Sequence, residues 1–165
     1  MSACLQVGKP SFLFQKGFEE RVLGFQLTPR TEPTISFFDL PRPMSDKDIL
    51  AHVGRLRTRA SVVRAIRPQG HATKVMRQGF AFTWSEVEAF IASSASDLLA
   101  DGRMNFFHML GDEGNATIFV VGIFWDRAHD CWRVSFSNLG FFDQMGASCR
   151  WESGRRVFFK TTPST

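Results

Sequence analysis

Apolar residues recur along this chain with two different spacings, and the change between them separates predicted helices from predicted strands. Ile49, Val53 and Leu56 lie three and four apart, the repeat that stacks side chains on one helical face. Ser45, followed three residues later by Asp48, forms a capping-box pattern just before them, and Asp46 adds negative charge where the helix dipole favours it. These signals predict a helix over about 46–57. Trp84, Val87, Ile91 and Leu98 mark a second inner face, preceded by Thr83 and Ser85, each with a Glu three residues on, and followed by Gly102. That predicts a helix over about 84–101.

In the last third the period changes to two. From Cys131 to Ser137, Trp132, Val134 and Phe136 alternate with Arg133 and Ser135, as in a strand with one buried face. Residues 116–125 are apolar on both faces, the pattern of a central strand. Residues 148–152 and 155–161 read as a hairpin around Ser153-Gly154. Nearer the N-terminus, Phe12–Phe14, Val22–Leu27 and Thr34–Leu40 read as short strands separated by Lys16-Gly17 and by Pro29–Pro33. Residues 58–67 fit two patterns: Ala60 and Val63 extend the first helical stripe towards Pro68, whereas Ser61-Val62-Val63 favours a strand. The strand formers tip the balance to a hairpin turning at Pro68-Gln69-Gly70 into Thr73–Phe82. The expected fold is a single α+β domain over residues 1–160, with an antiparallel sheet, two main helices and a loose tail at 161–165.

Composition narrows the class. With 165 residues, 44% hydrophobic and 22% charged, the chain is long enough to bury a core without disulfide or metal staples. The longest apolar run, Ala116–Trp125, is strand-sized, so no membrane partner is expected. Met1–Pro10 lacks the basic start and apolar core of a secretory signal, and three widely spaced cysteines fit a reducing compartment, so the expected location is cytoplasmic. The 18 Phe, 4 Trp and absence of Tyr exclude a tyrosyl acid, base or nucleophile. Adjacent pairs such as Phe37-Phe38, Phe106-Phe107, Phe141-Phe142 and Phe158-Phe159 point to core packing, which in a strand requires a second covered face.

Charge adds the strongest lead. Between Asp48 and Glu86 there is no acidic residue, while Arg55, Arg57, Arg59, Arg64, Arg67, Lys74 and Arg77 all fall inside that stretch. The other 13 Lys and Arg face all 16 Asp and Glu, so the formal +4 originates in this one segment. A local excess of one sign attracts the opposite sign, and the planar guanidinium fork suits phosphate. Arg150, Arg155, Arg156 and Lys160, set against Glu152 alone, form a secondary basic group. The competing expectation is that these cations pair with acids from elsewhere, such as Glu86, Glu88 or the Asp101 region.

Other patterns are shorter. Arg67-Pro68-Gln69-Gly70-His71-Ala72 resembles the pyrophosphate-holding loop of acyl-CoA-dependent N-acetyltransferases, over six residues of the chain. It departs from that family in the short Thr73–Gln78 stretch, interrupted by Gly79 where a helix should follow, and in the absence of any Tyr. Arg55-Leu56-Arg57-Thr58-Arg59 and Ser137-Asn138-Leu139-Gly140 are similar to elements of cyclic-dinucleotide-binding PilZ domains, but lie far apart, with Ser135 where that family has Asp or Asn. His129 and Cys131, beside Asp126 and Asp130, lack the spaced pairs of a structural zinc site, and alternation turns Cys131 outward. His52 and His108 read as helix-surface and core histidines, and no spacing supplies either with an orienting carboxylate. Gly111–Asn115 has too few ligands in series for a calcium loop.

No catalytic residue, cofactor or metal is expected from these patterns. The expected function is a non-enzymatic binding or regulatory module whose Arg-rich segment engages nucleic acid first or an acidic protein surface second. The alternatives are a transferase using a phosphate-bearing cofactor such as acyl-CoA, and an interaction subunit with an exposed Phe-rich patch.

Overall fold

All seven residues of Asn105–Gly111 are buried, and a six-stranded sheet assembles around them. The computed structural model describes residues 10–23, 34–58, 81–111, 117–139 and 150–161. In chain order the elements are β1 (Phe12–Phe14), a π-helical turn (Glu19–Leu23), β2 (Ile35–Asp39), α1 (Asp46–Thr58), α2 (Trp84–Ser94), a 3₁₀ turn (Ala95–Asp97), β3 (Asn105–Gly111), β4 (Thr117–Asp126), β5 (Cys131–Asn138) and β6 (Arg156–Lys160). The sheet order is β1-β5-β4-β3-β6-β2.

The α+β class holds, but the sheet is mixed. β4 pairs antiparallel with β3 and β5, and β2 antiparallel with β6, whereas β1 runs parallel to β5 and β3 parallel to β6. Four strands therefore share one direction, and β1, β3, β5 and β6 all finish at the end of the sheet where β2 and β4 begin. Both faces are covered. One carries Val87 and Ile91 of α2, Phe18 and Val22 around the π-helical turn, and Phe107, Val121, Val134 and Phe158 of the sheet. The other carries Ile49 and Val53 of α1 against Phe106, Val120, Val157 and Phe159.

This second cover explains the paired phenylalanines. Phe107 and Phe158 stack at 4.8 Å and 4° on the first face, while their neighbours Phe106 and Phe159 point into the second. Each pair thus spans the sheet, as alternation requires. Phe37 and Phe38 divide similarly at the edge: Phe38 packs with the second cluster, whereas Phe37 remains 40% exposed. Phe141 and Phe142 lie outside the described residues.

Several expectations need correction. β3 has no predicted counterpart: buried Asn105 and His108 break its short apolar run, which therefore shows neither alternation nor the unbroken apolar pattern of a central strand. Val22 and Leu23, expected in a strand, belong to the π-helical turn. That turn sits against Gly111, where a Cβ would lie 2.6 Å from the Arg21 carbonyl oxygen and 2.5 Å from the Phe119 ring. Among described residues 150–152, Trp151 forms an isolated bridge to Met44 in place of the expected strand. α2 stops at Ser94, seven residues before the expected 101. Ser93 turns its hydroxyl back onto the Ala89 and Phe90 carbonyls, and buried Asn105 fixes the following loop through Leu99 N–H and C=O at 2.8 and 3.0 Å. Thr161, where the expected strand 155–161 and the tail overlap, extends the β2–β6 pairing by donating its N–H to the Thr34 carbonyl at 2.8 Å.

The helix starts follow the sequence closely. Thr83 and Glu86 complete a reciprocal capping box at α2, and Ser45 and Asp48 do the same before α1. Asp46, buried at the start of α1, accepts from Trp151 Nε1 at 2.5 Å and ties the helix to the segment before β6. No helix among the described residues is long and apolar enough to cross a membrane.

Candidate functional site

The Arg-rich segment begins on α1. Arg55 is exposed, with Nη2 3.4 Å from His52 Nδ1, and His52 lies against Phe38 at 4.5 Å between ring centroids. Burial and the neighbouring guanidinium hold the His52 pKa below its ordinary value. Arg57 follows on the same helix. Two residues along a helix turn about 200°, so positions 55 and 57 fall on different faces. Arg59, Arg64, Arg67, Lys74 and Arg77 lie outside the described residues, as do the candidate strand Ser61–Ile66 and the acyltransferase-like Arg67–Ala72.

The secondary basic group is dispersed by internal partners. Arg150 is exposed. Arg155 pairs with Glu152 at 2.7 Å and lies 5.9 Å from the Phe106 ring centroid. Arg156 grips Asp39 through two nitrogens, donates to the Asp97 carbonyl at 2.6 Å and lies 4.0 Å above the Phe37 ring. Lys160 lies in the core: its side chain is 1% exposed, and its Nζ is 2.7 Å from the 2%-exposed Glu86 and 2.9 Å from the Ala81 carbonyl oxygen. Its parity faces the covered side of the sheet, so it cannot touch a phosphate outside the protein. This pair matches the competing expectation that these cations meet acids such as Glu86, 74 residues away; its burial is what the sequence did not signal.

The β4–β5 hairpin supplies a carboxylate–histidine contact that spacing did not identify. Asp126 Oδ2 lies 2.8 Å from His129 Nδ1 and 2.5 Å from Arg133 Nε. A carboxylate only accepts hydrogen bonds, so this contact requires a proton on Nδ1. These donors, with the Ala128 N–H, pull Asp126 down to about 2 from 3.8. Cys131, expected to face outward, is buried. The described residues contain no group of three or more His, Cys, Asp or Glu arranged to hold a metal ion. His108 is buried at the centre of β3, and the acidic loop after Gly111 lies outside the described residues.

No protein-family model, no curated protein and no solved structure matches this chain. A functional reading rests on the residues themselves. Among those described, large exposed apolar side chains are confined to Leu13 and Phe37, and Phe37 is overlain by Arg156.

Proposed function

We propose that this chain is a non-enzymatic binding or regulatory module whose Arg55–Arg77 segment engages an anionic partner, nucleic acid first and an acidic protein surface second. The observation that supports this best is where the carboxylates of the fold are spent. Asp39, Asp101, Asp126, Glu152 and Glu86 are matched by Arg156, Arg103, Arg133, Arg155 and Lys160, all outside the segment. Of the acids expected as internal counter-charges, Glu86 and Asp101 each hold a cation from outside the segment. On this reading an external anion supplies compensation that these five carboxylates do not give the segment.

Phosphate is the favoured anion because seven basic residues, six of them arginines, offer repeated two-point contacts. Stacking contributes less, since most described phenylalanines lie in the two cores. Binding should therefore depend steeply on salt and weakly on base sequence.

The test is fluorescence anisotropy with labelled single- and double-stranded oligonucleotides across a salt series. The expected result is a linear fall of log affinity with log salt, with a slope of about −0.7 per contacted phosphate for a single strand. Replacing Arg55, Arg57 and Arg59 together by Ala should weaken binding at least tenfold and flatten the slope. Absence of binding at low salt removes the nucleic-acid reading, and capture of a polyglutamate probe instead moves the partner to an acidic protein surface.

A further inference from the structure

The buried Lys160–Glu86 pair sits where the sheet forks. β3 and β6 are paired in parallel at Asn105–Arg156 and Phe106–Val157. Further along, Phe82 takes the place beside β3, donating its N–H to the His108 carbonyl at 2.8 Å and accepting from Leu110 N–H at 3.0 Å. Lys160 closes the other side of the fork through the Ala81 carbonyl at 2.9 Å, and Glu86 accepts from Thr83 N–H at 2.9 Å. Three successive residues, Ala81, Phe82 and Thr83, are thus tied by main-chain groups to β6, β3 and α2.

Burying a lysine and a glutamate is a poor way to gain stability, because well-packed apolar residues of similar volume serve as well or better. Fixing a unique register is the better-attested use of such a pair. The register fixed here belongs to the peptide four residues after Arg77. We infer that Lys160 and Glu86 are positioning residues: they anchor the C-terminal root of the Arg-rich segment to the sheet and thereby set its affinity for anions, without touching the anion. The inference rests on the function proposed above for its second half, and on geometry alone for its first.

Lys160→Met alone leaves a carboxylate uncompensated in the core, so the informative variant is Lys160→Met with Glu86→Gln, which is neutral and keeps an acceptor for Thr83 N–H. Hydrogen exchange tests the anchor directly. Exchange at Phe82 and Thr83 should accelerate at least tenfold relative to the amides of β4, and unchanged exchange overturns the inference. Oligonucleotide titration tests the consequence. The folded double variant should bind at least fivefold more weakly with a shallower salt slope; wild-type affinity and slope overturn the effect on binding. If the wild-type protein binds no oligonucleotide, the nucleic-acid version of the proposed function fails and a polyglutamate probe replaces the oligonucleotide, while the exchange result still decides the anchor. If the double variant does not fold, exchange in the wild-type protein decides: Phe82 protected to the level of β3 supports the anchor, and Phe82 exchanging with the chain ends overturns it.

Discussion

Arg156 and Asp39 face each other across the β2–β6 register in a two-point ion pair, Nε to Oδ1 at 2.7 Å and Nη2 to Oδ2 at 3.0 Å. The same guanidinium donates to the carbonyl of Asp97 below α2 and lies over Phe37. One side chain therefore joins the edge strand, its neighbour and the end of a helix.

Arg156→Ala should cost more than an ordinary surface pair. Exposed ion pairs contribute up to about 1 kcal/mol, and Asp39 is half exposed, so the loss should be about 1–2 kcal/mol once the Asp97 and Phe37 contacts are included. Asp39→Asn, which keeps the shape, should cost less than about 1 kcal/mol. Urea unfolding of both variants checks the order. Equal losses would mean that the ion pair alone carries the effect.

Acid should destabilise the fold through carboxylates held below their ordinary range. Asp126 and Asp101 are lowered from 3.8 to about 2, mainly by hydrogen bonds from His129 and Arg133 and from Arg103, and Asp39 is lowered by Arg156. A depressed carboxylate contributes stability in full above its unfolded pKa, and that contribution disappears as pH falls through the folded one. The melting temperature should therefore drop between about pH 4 and pH 2. Asp126→Asn should lower it at pH 6 and lower it far less at pH 2; an equal decrement at both values would exclude a charge-based contribution.

Gly111→Ala should destabilise although Gly111 has an ordinary strand conformation. Its missing Cβ is the space in which Arg21 O and the Phe119 ring lie, at 2.6 and 2.5 Å from where that carbon would be. Relief requires the π-helical turn to lift from the end of β3, at a cost of about 1–3 kcal/mol. Chemical denaturation gives the magnitude, and near-ultraviolet circular dichroism should report the displaced Phe119 and Phe136 environment. A neutral substitution would show that the turn adjusts freely.

Elements set by local chemistry were legible in the sequence. Thr83 and Glu86 mark the start of α2 because the capping box is complete within four residues, and Trp132, Val134 and Phe136 mark β5 because only one of its faces is strongly apolar. Elements set by distant partners were not. β3 carries no alternation, and the parallel pairing of Phe12 with Trp132 joins residues 120 apart with no local signature. The candidate site shows the same division. The acid-free run from Arg55 to Arg77 is plain in one dimension, and Glu86 was among the acids expected to pair with the basic residues, but nothing local signalled that its pair with Lys160 would lie in the core. His129 likewise needed the hairpin to bring Asp126 beneath its ring.

The place of β6 between β3 and β2 governs the order in which the protein can be assembled on a ribosome. β6 follows β3, β4 and β5 in the chain, so the edge strand β2, whose partner among the described strands is β6, joins the sheet only after the other strands have been made. Until then β2 and the Asn105–Phe106 end of β3 present main-chain groups open to illicit pairing with other polypeptides.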